Sequence, residues 1–308
     1  MKNVAILGAR GFVGKSLNKY LDGRYNVLPI TRADFNLLDS DAVKSFLQKK
    51  KIDVVINCAN QGGSRKTGYD SEKSDVIGNN LKMFFNIEKC LTKDMKLINF
   101  GSGAQYNKAR DLIKVKEDEI GNVIPADDYG YSKYVMSKYI NNCKKENIYN
   151  PIIFGLYGRF EDYTFKFISN AIIKNLIKMP IVINQNVIFD YLYVDDFLRI
   201  VELLIQNDYT NKEFNITPTE SIDLVSIVNI INQCGSYKSE IIVNNEGMNY
   251  QYTGDNGRLL ENIGSDFKFT SYSDGIYDLY KYYEENLSHL DIDTIREDKL
   301  LKYCKTKQ

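Results

Sequence analysis

The stretch VAILGARGFVGKSLNKYL, residues 4–21, decides the fold. A short apolar run ends in a turn where Gly8, Gly11 and Gly14 recur at every third position, and apolar residues then recur at helical spacing. Gly8 permits the tight turn, Gly11 lets the backbone come close to a pyrophosphate, and Gly14 lets helix pack on strand. The helix that follows presents unpaired N–H groups to an anion. A glycine turn between a first strand and a first helix therefore reads as a dinucleotide-binding unit.

Outward from this unit, the strand-like runs NVLPIT (26–31), DVVINCA (53–59), MKLINFGS (95–102) and PIIFGLYG (151–158) alternate with helical patterns. The alternation predicts an α/β protein: a Rossmann-type, doubly wound parallel sheet with helices on both faces. Beyond residue 159 short strands and helices alternate less regularly. We expect a dinucleotide-binding domain over 1–158, rejoined by about 187–210. A smaller mixed α/β domain should hold about 159–186 and 211–285, with a charged tail at 286–308.

The charge balance excludes several classes. Forty basic residues face forty acidic ones in 308 residues, so no net field favours nucleic acid or a membrane surface. No apolar run is long enough to span a bilayer, and the N-terminus lacks the pattern of a secretory signal. The five cysteines include no Cys-x-x-Cys, which fits a reducing cytoplasm, and His289 is the one histidine, which excludes His-based zinc sites and argues against a Ser-His-Asp triad. No metal is expected.

An NAD-preferring site carries an acid after the second strand for the ribose 2′-OH. Here that strand ends in Thr31-Arg32, with no acid before Asp34, and Arg10 lies inside the glycine turn. Two guanidiniums suit a 2′-phosphate, so NADP(H) is expected over NAD(H).

The run DDYGYSKYVMSKY (127–139) contains Tyr-x-x-x-Lys twice, as Tyr129/Lys133 and Tyr134/Lys138. Together with NFGSGAQY, FDYLYVDD and GDNGRLL in that order, this run resembles the extended short-chain dehydrogenase/reductases, the NAD-dependent epimerase/dehydratase family that acts on nucleotide sugars. The resemblance covers residues 1–285. It implies that Ser102, Tyr129 and Lys133 are catalytic. Five residues along an α-helix is about 500° of rotation, so Tyr134 and Lys138 fall on another face, at the surface or a dimer contact. For the cofactor it implies Gly8, Arg10, Gly11, Phe12, Val13, Gly14, Arg32, Leu38, Asp39, Cys58, Ala59 and Asn80, besides Tyr129 and Lys133. The smaller domain becomes substrate-binding, with Gln61, Arg159, Lys166, Asp190 and Arg258 as candidates for the nucleotide sugar. A homodimer is expected through the helices carrying Asn80 and Tyr129.

Within that family the pattern is most similar to GDP-L-fucose synthase-like 4-keto sugar reductases. The cysteine and histidine that such enzymes use for 3,5-epimerisation are Ala104 and Phe160 here, so that step should be absent. Gly103-Ala104 replaces the Asp-Glu of a dehydratase, and Phe189 stands where members carry a diphosphate-gripping arginine. The resemblance thus implies an NADPH-dependent reductase of a nucleotide-linked 4-keto sugar, whose product would feed surface polysaccharide synthesis. An NAD-dependent 4-epimerase and a non-catalytic dinucleotide sensor are the alternatives.

Overall fold

In the computed structural model, which describes residues 1–63, 75–302, 304, 306 and 307, strand β1 (Asn3–Leu7) sends alternate side chains to opposite layers. Val4 and Ile6 join one core cluster, Ala5 and Leu7 the other, and none is more than 1% exposed. That double burial is what a central parallel strand requires. The first cluster is closed by α1 (Phe12–Leu21), through Leu17 and Leu21.

The chain continues through β2 (Asn26–Ile30), α2 (Ser40–Lys49), β3 (Val54–Asn57), α3 (Val76–Glu88), β4 (Lys96–Asn99) and β5 (Gly101–Ser102). Then come β6 (Leu112–Val115), α4 (Asp128–Asn142), β7 (Ile148–Ile153), β8 (Gly155–Tyr157), α5 (Phe167–Leu176), β9 (Ile181–Asn186), β10 (Ile188–Phe189) and β11 (Tyr191–Tyr193). The last elements used below are α6 (Val194–Gln206), β12 (Glu213–Ile216), β13 (Ile222–Asp223), α7 (Leu224–Cys234), β14 (Ile241–Met248), β15 (Tyr252–Gly254), α8 (Gly257–Ile263) and α9 (Tyr272–Asn286).

The large sheet has seven strands in the order β12-β7-β4-β3-β1-β2, with β5 also paired to β7. Every pairing within it is parallel. α2, α3 and α4 cover the second cluster through Val43, Leu47, Phe84, Ile87, Met136 and Ile140, while α6 covers the first through Phe197 and Val201. After β2 the strand order reverses across β1, which opens a crevice at the carboxyl ends of β1 and β3.

One expected boundary is corrected. Residues 213–216 were assigned to the smaller domain, but β12 is buried along its whole length and forms an edge of the large sheet beside β7. The smaller layer holds a four-stranded sheet in the order β13-β10-β15-β6 and the parallel pair β9–β14. Since β6 is the next strand after the one that carries Ser102, this layer is built partly from the segment leaving the site.

The tail is docked. Lys174 on α5 is 1% exposed at its side chain, and Asp298 meets its ammonium at 2.7 Å. Lys307 reaches Asp111, at the root of β6, at 2.8 Å. Residues 303, 305 and 308 of the tail lie outside the described residues. Among the described residues no helix is long and apolar enough to cross a membrane.

Removing one partner of a buried ion pair leaves the other uncompensated, at about 3 kcal/mol. Asp298→Ala is therefore expected to lower the thermal midpoint by several degrees in calorimetry, and Lys174→Met in the same chain to recover most of the loss. A double variant melting as low as the single one would show that the charge on Lys174 is not the cause.

Candidate active site

The glycine turn is fixed by contacts that only a missing Cβ allows. Gly8 has φ +82°, and a Cβ there would lie 2.9 Å from the Ala59 nitrogen. At Gly14 it would lie 2.4 Å from the Gly8 oxygen. Gly11 differs, because a Cβ would meet only that same oxygen, at 3.5 Å, so its outer surface is open. α1 starts without a side-chain cap and without an acid in its first turn, and its first amides can take an anion. Phe12 and Val13, both half-buried, form that turn, and Cys58 and Ala59 close the crevice from the end of β3. This geometry fits the pyrophosphate of a dinucleotide.

After β2, Asp34 is engaged by its own turn: one oxygen accepts from the Thr31 amide and hydroxyl, both at 2.8 Å. Those bonds hold its carboxyl below the usual range, and the nearby Arg10 guanidinium adds to the effect. Arg10 and Arg32 are both exposed. Asp39 uses its carboxylate to cap α2, accepting from the amides of Asp41 and Ala42, with Leu38 half-buried before it.

A cleft of about 540 Å³ separates Arg10, Gly11 and Phe12 from the segment 160–164. Phe160 stands there at φ +74°, an unfavourable region for a bulky side chain, with the Lys15 ammonium 4.5 Å over its ring. Behind it Glu161 is buried against the Ser169 hydroxyl, and burial raises its carboxyl to about 7. Sequence reasoning noted Phe160 only as a departure from a family pattern. Nothing in the local sequence marks this segment as a wall of the cleft.

In YGYSK from Tyr129, every residue but the exposed Tyr131 has a visible reason. Asp127 caps α4 by accepting from the Gly130 amide at 2.9 Å. A Cβ on Gly130 would lie 2.7 Å from the Ala104 oxygen, so glycine lets the helix press on the loop that carries Ser102. The fully buried Ser132 hydroxyl donates to the Tyr129 carbonyl at 2.8 Å and accepts from the Asn80 amide at 3.2 Å. Lys133 donates to the Phe100 carbonyl at 2.7 Å, one turn behind the Tyr129 ring. The Ser102 hydroxyl lies close enough to the Tyr129 phenol to lower its proton affinity.

The structure thus brings Ser102, Tyr129, Lys133 and Asn80 together. Gln61 joins them through its backbone, donating to Asn80 Oδ1 at 2.7 Å and accepting from Nδ2 at 2.9 Å. Gly63, at φ +69°, lies so close that a Cβ would be 2.6 Å from the Tyr129 ring. Burial pushes the Tyr129 phenol above its ordinary value, while the Ser102 hydroxyl pulls it back. Burial also lowers the Lys133 ammonium to about 8. The second pair is elsewhere: Lys138 donates to the Ile120 carbonyl at 2.6 Å.

The substrate-side candidates fare differently. Asp190 has no exposed surface; its carboxylate accepts from Lys114 at 3.2 Å, from Ser221 at 2.5 Å and from the Gly254 amide at 2.9 Å. The expectation that it touches a substrate is corrected: it ties β6, β10 and β15 together inside the smaller layer. Arg159 is paired with Asp278 at 2.7 Å, and Arg258 with Asp118 and with Glu117 at 3.5 Å. Lys166 is exposed just before α5.

The family model for the NAD dependent epimerase/dehydratase family matches residues 4–217. The chain belongs to this family. Its members are oxidoreductases and epimerases of nucleotide sugars that bind a nicotinamide dinucleotide. The chain is 27% identical over 225 residues to the ADP-L-glycero-D-manno-heptose-6-epimerase of Brachyspira hyodysenteriae, covering 69% of this chain and 67% of the relative. Its fold is similar to that of a GDP-D-glycero-L-gluco-heptose synthase from Campylobacter jejuni, with TM-score 0.78 and 18% identity over 92% of this chain and 98% of the other. A GDP-L-fucose synthetase from Naegleria fowleri gives TM-score 0.74 and 18% identity over 93% and 94%.

A lysine lowered to about 8 in the folded chain and ordinary when unfolded disfavours the folded state while both forms are charged. Between pH 8 and about 10.5 the unfolded chain binds the extra proton, so this contribution to stability rises with pH. The thermal midpoint of the wild type should therefore rise relative to that of Lys133→Met between pH 7 and pH 9.5. Parallel melting curves across that range would refute the reading of a desolvated ammonium.

Proposed function

We propose that the protein is an NADPH-dependent reductase of a nucleotide-linked 4-keto sugar that lacks 3,5-epimerase activity. The observation that carries this reading is the Tyr129 phenol beside the Ser102 hydroxyl, which lowers its proton affinity, with Lys133 one helical turn behind it. When bound, the reduced nicotinamide supplies a hydride. Ser102 and Tyr129 hold the carbonyl oxygen of the substrate, and Tyr129 gives it a proton as the carbonyl is reduced. Lys133 favours the phenolate that remains and so eases that transfer. Asn80 keeps Ser132 and the Gln61 backbone in register with the helix that carries Tyr129.

For the cofactor, Gly8, Gly11, Gly14, Phe12 and Val13 would receive the pyrophosphate, with Cys58 and Ala59 at its side. The exposed Arg10 and Arg32, and an Asp34 already engaged by Thr31, favour a 2′-phosphate over a free 2′-OH. The absence of epimerisation rests on Ala104 and Phe160, which offer no acid or base. The Naegleria synthetase bound to NADP and the Campylobacter synthase with NADPH support this cofactor by likeness of fold. We further propose a homodimer through α3 and α4, and a substrate side formed by the smaller layer.

Tyr129→Phe should lower turnover of a 4-keto nucleotide sugar by about a hundredfold to ten-thousandfold and leave NADPH binding intact. Lys138→Met should change neither. Full activity in Tyr129→Phe would overturn the assignment. In a fluorescence titration of the nucleotide-stripped protein, Arg32→Ala should cost NADPH about tenfold in affinity and NADH nothing, as one lost charged bond to phosphate implies. A wild type that prefers NADH would shift the reading to a 4-epimerase.

A further inference from the structure

Beside Ser102 the site is walled by rings. A Cβ on Gly103 would lie 2.5 Å from the Tyr252 hydroxyl and 2.8 Å from a Phe154 ring carbon, so both rings rest against the residue that follows the serine. Phe154 is there because Ile153, just before it, is the register partner of Ser102. From Phe154 the wall runs to Tyr252 at 5.0 Å between ring centres, to Phe189 at 5.7 Å and on to Tyr191 at 5.2 Å. Phe189 and Tyr252 are themselves register partners of adjacent strands.

All four rings are partly exposed, although the strands that carry them are anchored by fully buried groups such as Asp190 and Thr253. A row of partly exposed aromatic faces one residue from a hydroxyl that holds a carbonyl oxygen is a stacking surface. The ring nearest that carbonyl is the sugar ring that carries it. Its polarised C–H bonds suit the negative face of an aromatic ring. The two arginines of this side do not compete for the place, since Arg159 and Arg258 are paired with acids.

We propose that Phe154, Tyr252, Phe189 and Tyr191 form a platform that binds the C–H face of the keto-sugar ring, and that Tyr252 and Phe189 set sugar specificity. The proposal rests on the nucleotide-sugar reading above. It assigns recognition of the sugar to rings and gives them no part in holding the nucleotide.

The test is isothermal titration calorimetry on the NADPH-saturated protein, with GDP-, UDP-, CDP- and dTDP-hexoses and each matching nucleoside diphosphate alone. Tyr252→Leu and Phe189→Leu should weaken the tightest sugar conjugate about tenfold, as the loss of one stacked ring does, and leave the bare diphosphate and NADPH unchanged. Tyr252→Phe, which keeps the ring, should bind the conjugate as the wild type does. Leucine variants that bind it normally, or lose the bare diphosphate equally, would overturn the platform. A wild type that holds NADPH and binds no nucleotide sugar would instead overturn the nucleotide-sugar reading, and the platform with it. Saturation-transfer NMR on the wild type gives an answer free of any variant: strongest transfer to sugar ring C–H protons supports the proposal, and strongest transfer to base protons refutes it.

Discussion

The site depends on one buried ammonium. Lys133 is 6% exposed, and its Nζ donates to the carbonyl of Phe100 at the junction of β4 and β5. An ammonium taken out of water is costly unless it is partnered, and here a single carbonyl provides the bond. That bond sets the rotation of α4 on the sheet. Once Lys133 points at the end of β4, Tyr129, one turn earlier, must face Ser102. Gly130 must then lie on the loop, with no room for a Cβ. The cost of burying the ammonium is visible in its lowered proton affinity.

The loop that receives Tyr129 is held from its far side by a polar network. The buried Tyr106 hydroxyl donates to Asn215 Oδ1 at 2.8 Å, and Asn215 Nδ2 donates to the carbonyls of Val115 and Asp255, both at 2.9 Å. The amide of Asn215 donates to Glu117, which Arg258 also meets. Asn215 therefore joins the edge strand of the large sheet to the segment after Ser102 and to the start of α8. Each of its polar hydrogens and its side-chain oxygen has a partner, as a buried amide requires. The smaller layer is thus bonded to the loop that carries Ser102, and Arg258 serves this bond.

The first unit of the fold was legible because its constraints are local. The distance from Gly8 to Gly14 is set within one turn, and a clash at either position is decided by residues close in the chain or one strand away. YGYSK was legible for the same reason, since its residues lie on two turns of one helix. The partners of Asp190, Arg159 and Arg258 were not, because Lys114, Asp278 and Asp118 are separated from them by 76, 119 and 140 positions. A charged side chain on a loop reads the same whether it meets a ligand or another loop. β12 was misplaced because four residues that alternate polar and apolar, Glu213 to Ile216, carry no mark of which sheet they join. The tail carried no sign of Lys174, whose burial becomes visible only once α5 is packed.

The two sides of the site are unlike in charge. On the cofactor side Arg10 and Arg32 are exposed, and Lys15 and Lys19 stand over the ring of Phe160 at 4.5 and 5.5 Å. On the other side, the two arginines offered for the nucleotide sugar, Arg159 and Arg258, are paired with acids, Lys166 is exposed, and the rings of Phe154 and Tyr252 lie against the residue after Ser102. Phosphate charge is therefore drawn chiefly to the glycine turn, where helix amides and guanidiniums act together. On the proposed reading, recognition across from it comes from shape and stacking, which discriminate between sugars by the pattern of their C–H and hydroxyl faces. On that reading the site separates holding the cofactor from choosing the sugar, and Phe189, whose ring meets those of Tyr252 and Tyr191, belongs to the second task.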